Sequence, residues 1–457
     1  MVISTESRNK IPERLMVEEL GPFVGKHCKT SHFGVDNQPH CLSYIHYDIV
    51  SIMEVKIEFI AEGSITSPQG FQAGATYAGI KKEAINGLDL GILFSEVPCK
   101  AAALFTTNSI KAAPILLCQQ RLQAGRTVAI VVNSGCANTF TGEGGVSDAA
   151  EMADLAARKM GLSAEDVLVA SSGVIGQPLP MKLIRASIEQ IGLSQEGGHD
   201  IAKAIMTTDT VPKEAAVVVR IGDSGFNIGG IAKGSGMIHP NLATLLCFLT
   251  TDAAVNIDFL RQALRKAVGI SLNMVSIDGD TSPNDIVLIM ANGLAENEVI
   301  SQDSDQASSF QDALNQVCIY LAKCIASDGE GASKLMEVTV SGAPSVAEAR
   351  LAARAVVGSP LVKAAVHGSD PNWGRIVAAV GRSGVEVVES KIDLYIDNTC
   401  LVKNGYQLPF DRDKVVAVLR SSEVPITVQL NLGTATATAW GCDLSEEYVT
   451  INSQYTT

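Results

Sequence analysis

The sequence predicts an α/β protein, a layered sandwich with β-sheets packed between helices. Short β-rich runs alternate with amphipathic helical segments from Gly63 onward, and the two kinds of element intermix throughout. Hydrophobic residues form 46% of the 457 residues and charged residues 18%, so the chain can bury a large core. Aromatic residues reach only 5%, whereas Ala, Gly and Val are plentiful, and this composition suits close packing of helices on sheets.

The elements of the first half follow in chain order. Residues 127–135 form a continuous apolar run ended by turn residues, which predicts a buried strand. Apolar residues at helical spacing then predict a helix from Val146 to Met160, ended by Gly161. The next predicted elements are a strand over 166–173, a helix from Leu183 to Ile191, and a hairpin formed by 215–222 and 226–236.

The second half continues the alternation. The predicted elements are a helix from Phe259 to Val268, a buried strand over 285–293, a strand over 334–342 and a helix from Ser345. Glu348 completes a capping box with Ser345, which marks the start of that helix. Residues 423–453 are predicted to be rich in β-strands.

Composition excludes several function classes. A net charge of −14 without a stripe of Lys and Arg argues against a nucleic-acid partner. The ten cysteines form no Cys-x-x-Cys pair, so we expect a reducing cytoplasm, with Cys136 and Cys247 as small buried hydrophobes. No apolar run approaches the ~18–20 residues that cross a bilayer, and the first residues lack a signal or transit layout, so no membrane association is expected.

Residues 1–60 differ from the rest and are predicted to be a poorly ordered extension, of which residues 1 to about 50 should be dispensable. They contain four of the seven histidines and two cysteines, namely His27, Cys28, His32, His40, Cys41 and His46. Such residues could bind zinc, but their spacing matches no usual pattern of paired ligands, so we expect no metal. The three histidines of the body lie in no nucleophile-elbow or zinc motif, which disfavours a His-based triad or a metallohydrolase.

Thr244 is the most informative residue of the body. A threonine hydroxyl is a weak nucleophile, and one way to activate it is to make the threonine the first residue of a chain, whose α-amine then serves as base. That amine ordinarily has a pKa of about 7.7–8.0, so much of it is free near neutral pH. Cleavage of the Ala243–Thr244 bond would create it. The small Ala243 and the Gly-Ser-Gly of 234–236 leave room for the tight turn that self-cleavage needs.

Several motifs together resemble those of the ornithine acetyltransferase family, also called glutamate N-acetyltransferase. The segment around Thr244 is GGIAKGSGMIHPNLATLLCFLTTDA. The others, in the family's order, are SSGVIGQPLP, MTTDTVPKEA, DGDTSPND, SDGEGASKLMEV, GSDPNWGR and the ending YVTINSQYTT. The resemblance covers roughly Gly63 to Thr457, and the set of motifs is highly specific.

The resemblance implies a self-cleaved architecture like that of the N-terminal-nucleophile enzymes. An α chain over 61–243 and a β chain over 244–457 would stay together, as a heterotetramer of two α and two β chains. The enzyme would move acetyl from N-acetylornithine to glutamate through an acetyl-threonine intermediate in arginine biosynthesis. It would need no cofactor, although acetyl-CoA is a possible co-substrate.

The resemblance also implies the roles of individual residues. Thr244 would be the nucleophile, and Ser172 and Gly173 the oxyanion hole, with serine where other members often have threonine. The implied substrate-binding residues are Thr210, Lys233, Thr244, Glu330, Asn452 and Thr457. For the threonine of MTTDT, residues 207, 208 and 210 all remain open, with Thr210 preferred.

Asp278, Asp280, Ser282 and Asn284 mimic a calcium loop, but Pro283 replaces the required glycine, so we interpret the segment as a turn near the active site. The main alternative function is a self-processed amidase or aminopeptidase in which water accepts the acyl group. A second alternative is a non-catalytic amino-acid-binding protein. The presence of Thr244, Lys233, Ser172 and Gly173 argues against it.

Overall fold

The computed structural model describes residues 55–81, 87–222, 224–239 and 245–454. Within them the strands are β1 (Val55–Phe59), β2 (Phe71–Thr76), β3 (Leu90–Phe105), β4 (Arg126–Cys136), β5 (Val167–Val174), β6 (Lys213–Ile221), β7 (Ser224–Lys233), β8 (Leu246–Thr251), β9 (Val275–Ser276), β10 (Ile286–Ala291), β11 (Leu335–Ala343), β12 (Asp393–Ile396), β13 (Thr399–Lys403), β14 (Tyr406–Gln407), β15 (Glu423–Gln429) and β16 (Ala435–Cys442). The α-helices are α1 (Ala113–Arg121), α2 (Gly142–Met160), α3 (Met181–Ser187), α4 (Gly198–Ala204), α5 (Ile257–Ile270), α6 (Ala307–Ser327), α7 (Val346–Val357), α8 (Pro360–His367), α9 (Trp373–Gly381), α10 (Arg412–Leu419) and α11 (Glu446–Gln454).

The larger sheet has the strand order β1-β6-β7-β8-β10-β3-β4-β5, with β2 paired to β3. The predicted hairpin is confirmed, since β6 and β7 pair antiparallel from Lys213 opposite Ala232 to Ile221 opposite Ser224. The strand β8 then pairs antiparallel with β7 and parallel with β10, which lies at the centre of the sheet.

Helices cover both faces of this sheet, as predicted. Alternate residues of β8 enter two different cores: Leu246 and Phe248 pack on the side of α1 and α2, whereas Cys247 and Leu249 pack on the side of α5 and α6. Burial on both faces favours apolar side chains, which explains the hydrophobic run of β10 and that of Leu246–Leu249 in β8.

The smaller sheet has the order β14-β13-β12-β15-β11-β16-β9. Helix α6 contacts strands of both sheets and so lies between them. Glu337 of β11 accepts one hydrogen bond, from Trp440 of β16, and forms an ion pair with Lys323 of α6 at 2.8 Å. Helix α7 also packs on β11 and β16, and its predicted capping box is confirmed, because the Ser345 hydroxyl accepts the Glu348 N–H at 3.2 Å. These layers confirm the predicted α/β class.

The regular structure reaches further toward the amino terminus than predicted. Strand β1 lies inside the expected 1–60 extension and pairs antiparallel with β6 at the edge of the larger sheet. Its sequence alternates apolar Val55, Ile57 and Phe59 with charged Lys56 and Glu58, as a half-exposed edge strand requires. The boundary near residue 60 was wrong because it followed the start of the family resemblance instead of this alternation. The histidines and cysteines weighed as a zinc site lie outside the described residues.

The end of the chain also differs from the prediction. Residues expected to be β-rich form α11 instead. Val449, Thr450 and Ile451 favour strands, but Glu446 and Glu447 in the first turn stabilise a helix start, and tertiary contacts on one face override the weak propensity. No helix among residues 55–81, 87–222, 224–239 and 245–454 is long and apolar enough to span a membrane.

A chain that starts at Met53 should therefore fold and turn over like the full-length protein. Met53 precedes β1, so this truncation keeps the edge strand on β6. The measurement is the thermal unfolding midpoint and the specific activity of both chains. Removal of β1 as well, by a start at Gly63, is the matched control and should lower the midpoint because it uncovers β6. Misfolding of the Met53 chain would show that the first 52 residues are structural.

Candidate active site

Five of the six predicted site residues that the structure describes line one cavity of about 240 Å³, namely Ser172, Gly173, Lys233, Glu330 and Asn452. Its lining comprises Ser172, Gly173, Ile175, Thr207, Thr208, Lys233, Gly236, Met237, Asp278, Asp280, Ser282, Asn284, Glu330, Tyr448 and Asn452. Ala243, Thr244 and Thr457 lie outside the described residues. The described strands before and after the Ala243–Thr244 bond meet at the site, because Lys233, which lines the cavity, pairs with Leu246 across the β7–β8 ladder.

Gly173 occupies a position that only glycine fits. It lies near the end of β5 with φ at +128°, a conformation that other residues rarely adopt. A Cβ there would come within 2.4 Å of the carbonyl carbon of Gly135 on the neighbouring strand β4. The two backbones therefore meet closely at an irregular point in their pairing, which turns the Ser172–Gly173 segment toward the cavity.

Lys233 ends β7 with its ammonium group buried in the site. Its Nζ donates to the Thr207 hydroxyl at 2.8 Å and to the Ser172 hydroxyl at 3.3 Å. Burial lowers the pKa of Lys233, an effect that the Asp209 carboxylate, 4.0 Å away, opposes. The lysine thus links the predicted oxyanion segment to the MTTDT motif, instead of lying on a solvated loop.

The sequence analysis did not predict a cluster of buried charged side chains next to Lys233. The Lys213 ammonium contacts Asp209 at 2.7 Å and Asp328 at 2.6 Å. Burial alone would raise the pKa of Asp209, but Lys213 and Lys233 outweigh it and hold that pKa well below its ordinary range. Asp209 also accepts the N–H groups of Thr207 and Gly234. The cluster therefore fixes both motif segments that carry the cavity's threonines and Lys233.

The preference for Thr210 is not supported by the geometry. Thr210 is exposed and does not line the cavity, because its N–H and hydroxyl both donate to Asp328. Thr207 and Thr208 do line the cavity, the first bonded to Lys233 and the second to the Ser235 hydroxyl at 2.6 Å. The turn of the motif brings Thr207 and Thr208 to the cavity and directs Thr210 to Asp328, which spacing along the chain could not reveal.

Carboxylate side chains also line the cavity. Glu330 is buried, and its side chain lies so close to Gly236 that a Cβ on that glycine would be 2.5 Å away. Asn452 of α11 donates to Glu330 at 2.7 Å, and Tyr448 one turn earlier donates to Asp278 at 3.3 Å. The cavity is therefore lined by charges of both signs, the Lys233 ammonium group and the carboxylates of Glu330 and Asp278.

The loop predicted to be a turn near the active site does line the cavity. Asp278 in that loop accepts the N–H groups of Met237 at 2.5 Å and Ile238 at 2.9 Å, and burial raises its pKa. The described residues contain no group of ligands suited to a metal ion. Cys136 and Cys247 are buried as expected, and burial raises the pKa of both thiols, which disfavours the reactive thiolate form.

Comparisons with known proteins identify the family. The ArgJ family model matches residues 72–457. The chain is 51% identical over 405 residues to the arginine biosynthesis bifunctional protein ArgJ of Dehalococcoides mccartyi, an alignment that covers 89% of this chain and all of the relative. The chain belongs to the ArgJ family. The ArgJ protein of Symbiobacterium thermophilum is 52% identical over 403 residues, covering 88% of this chain and all of that protein.

Two solved structures are similar to parts of the chain. The ArgJ protein of Bacillus halodurans is 44% identical, with a TM-score of 0.44, and the match covers 45% of this chain and 97% of that one. The ornithine acetyltransferase of Mycobacterium tuberculosis in complex with ornithine is 37% identical, with a TM-score of 0.37, and covers 42% of this chain and all of that one.

Membership of the ArgJ family confirms the predicted enzyme class. The chain is an acyltransferase of arginine biosynthesis, and this function replaces both the amidase and the binding-protein alternatives.

Proposed function

We propose that the chain cuts itself between Ala243 and Thr244 and then transfers acetyl from N-acetylornithine to glutamate through an ester on Thr244. The single observation that carries this proposal is the cavity lined by charges of both signs, in which we take Lys233 and the Ser172–Gly173 segment as one end and Glu330 and Asn452 as the other. N-acetylornithine carries an α-carboxylate and a side-chain ammonium group, and it fits such a site because each of these charges meets an opposite charge.

In the cleavage step, the Thr244 hydroxyl attacks the carbonyl carbon of Ala243. The bond from that carbon to the Thr244 nitrogen breaks, the nitrogen takes a proton, and an ester is left between the two residues. Water then hydrolyses the ester, which gives Ala243 a carboxylate and returns the Thr244 hydroxyl. The freed α-amine is the base that the internal threonine lacked.

In the transfer step, the Thr244 hydroxyl attacks the acetyl carbon of N-acetylornithine and passes its proton to the α-amine. Donors from Ser172 and Gly173 stabilise the negative charge that develops on the acetyl oxygen. Ornithine leaves with the proton, and the acetyl group remains on Thr244 as an ester. The amine of glutamate then attacks this ester, and N-acetylglutamate leaves.

The two ends of the cavity orient the substrates. Lys233 is within reach of the Thr207 and Ser172 hydroxyls, so its charge can hold an α-carboxylate at the oxyanion end. Glu330 and Asn452, joined by a 2.7 Å hydrogen bond, would receive the side-chain ammonium of ornithine. Thr207 replaces Thr210 in this proposal, and Thr457 keeps its predicted role in substrate binding.

The two chains should remain together after the cut. Strand β7 precedes the junction and β8 follows it, and the two pair over Ile228–Lys233 and Leu246–Thr251 in the middle of the larger sheet. Their separation would expose core surface at about 25 cal/mol per Å². We propose a heterotetramer of two α and two β chains. The free cysteines of the described residues fit the reducing cytoplasm in which we propose that it works.

Glutamate should accelerate the release of ornithine from N-acetylornithine. With both substrates varied, double-reciprocal plots should give parallel lines, because each substrate meets a different form of the enzyme. Added acetyl-CoA in place of N-acetylornithine tests the second donor. Turnover in water alone, with no effect of glutamate, would contradict the transferase mechanism.

Glu330→Gln should weaken the use of N-acetylornithine more than the use of glutamate. A neutral amide keeps the size of the side chain and its contact with Asn452 but cannot neutralise an ammonium group, a charge-assisted bond worth about 1.5–3 kcal/mol. We therefore expect kcat/KM for N-acetylornithine to fall by about 10–100-fold. Glu446→Gln, at an exposed position of α11, is the matched control. Equal losses for both substrates would contradict the assignment.

A further inference from the structure

One loop, residues 277–285 between β9 and β10, binds the chain on both sides of the junction. Before the junction, Asp278 accepts the Met237 and Ile238 N–H groups. After it, the Leu245 N–H donates to Asp285 Oδ1 at 2.9 Å, and the Leu245 carbonyl accepts the Ile286 N–H at 3.2 Å. Separate carboxylates of one loop thus hold the two segments that the cut would make independent.

The hydrogen bond between Asp285 and Leu245 is buried and shielded from solvent. Asp285 is 1% exposed and Leu245 is 2% exposed, so water does not compete for this hydrogen bond. The backbone of Asp285 is fixed as well, because its carbonyl accepts the Thr106 N–H at 3.0 Å. The carboxylate therefore holds a defined position next to the residue that follows Thr244 in the chain.

The neighbouring residue, Asn284, is bound to the oxyanion strand. Its side-chain amide donates to the carbonyl oxygens of Ser171 at 2.9 Å and Ala137 at 2.6 Å, and it accepts the Thr139 hydroxyl at 2.6 Å. Ser171 directly precedes Ser172. Two consecutive side chains thus contact the two parts of the machinery: Asn284 the oxyanion segment, and Asp285 the segment that carries the nucleophile.

We propose that Asp285 is a positioning residue that sets the place of Thr244 relative to the Ser172–Gly173 segment by holding the N–H of Leu245. This inference rests on the proposed function of Thr244. Asp285 does not line the cavity, so it acts through Leu245 and not on substrate. Because Leu245 lies on the β-chain side, the contact persists after the cut and acts in both self-cleavage and turnover.

Three variants of the full chain separate position from charge. Asp285→Asn keeps an oxygen acceptor in place and loses the charge, Asp285→Glu keeps the charge and displaces the acceptor by one methylene, and Asp285→Ala removes both. A displacement of about 1 Å can cost about 10²-fold in rate. We expect Asp285→Glu and Asp285→Ala to slow cleavage and to lower kcat of the cut enzyme by about 10²-fold, with KM changed less than about threefold. Asp285→Asn should stay within about tenfold of wild type.

Asp393→Ala is the matched control, because Asp393 is also buried and accepts a backbone N–H, that of Asn404 at 2.8 Å, but lies in the smaller sheet. It should cleave and turn over normally. If Asp285→Ala does not fold, Asp285→Asn and Asp285→Glu still decide the matter. Wild-type cleavage and kcat in Asp285→Glu, or equal loss in Asp285→Asn and Asp285→Glu, would overturn the positioning role. Wild-type protein that stays uncut would instead overturn the proposed function itself.

Discussion

Thr244→Ala should remain one uncut chain without acetyl transfer. The substitution removes the hydroxyl that attacks Ala243, and without the cut no α-amine is freed to act as base. We expect activity to fall by about 10⁶-fold, the loss that follows removal of a catalytic nucleophile. The measurements are the chain masses under denaturing conditions and the rate of ornithine release.

Thr244→Ser is the matched control for this variant. Serine supplies both a hydroxyl and, once cut, an α-amine, so this chain should still split and turn over, although the missing methyl group changes packing. Processing at the same bond in Thr244→Ala would contradict self-cleavage by this residue. An uncut but active Thr244→Ser would show that the cut and the catalysis are unrelated.

Gly173→Ala should have the second largest effect, on the rate and not on the affinity for substrate. The added Cβ would lie 2.4 Å from the Gly135 carbonyl carbon, and alanine rarely adopts a φ of +128°. The backbone must move, and one lost oxyanion donor costs about 10²–10³-fold in kcat. Steady-state kinetics of the cut enzyme, with kcat and KM reported separately, measures this.

Gly176→Ala is the matched control for Gly173→Ala. Gly176 also has a positive φ, +80°, and follows in the same segment, but an added Cβ there meets nothing within 4 Å. The control should lose some stability through backbone strain and keep its kcat within a few-fold. Similar kcat losses in the two variants would mean that strain in the segment, and not the oxyanion geometry at Gly173, limits the rate.

Much of the fold could be predicted because local patterns determine it. The strands β4 and β10 are continuous apolar runs, and helix α2 ends at Gly161 in the left-handed conformation that a glycine readily takes. These features need no knowledge of distant contacts. The edge strand β1 has an equally clear alternation, so its omission was avoidable.

The remaining features depend on contacts between distant parts of the chain. Helix α11 forms although its residues favour strands, because Tyr448 and Asn452 reach Asp278 and Glu330, far away in sequence. Local propensity cannot weigh such contacts.

The buried ion cluster is similar, since Lys213 meets Asp328 across 115 positions of sequence. The sequence gives one indication of this cluster. Asp209 and Lys213 carry opposite charges in the motif MTTDTVPKEA, which leads into an apolar strand. The same cluster decides the direction of Thr210, which explains why its role could not be predicted from the motif.

The most direct test of the account is the intact mass of the purified wild-type protein under denaturing conditions, together with the amino-terminal sequence of each piece. We predict two chains that co-purify before denaturation, one ending at Ala243 and the other beginning with Thr244. A single uncut chain of 457 residues that nevertheless transfers acetyl to glutamate would contradict the central claim.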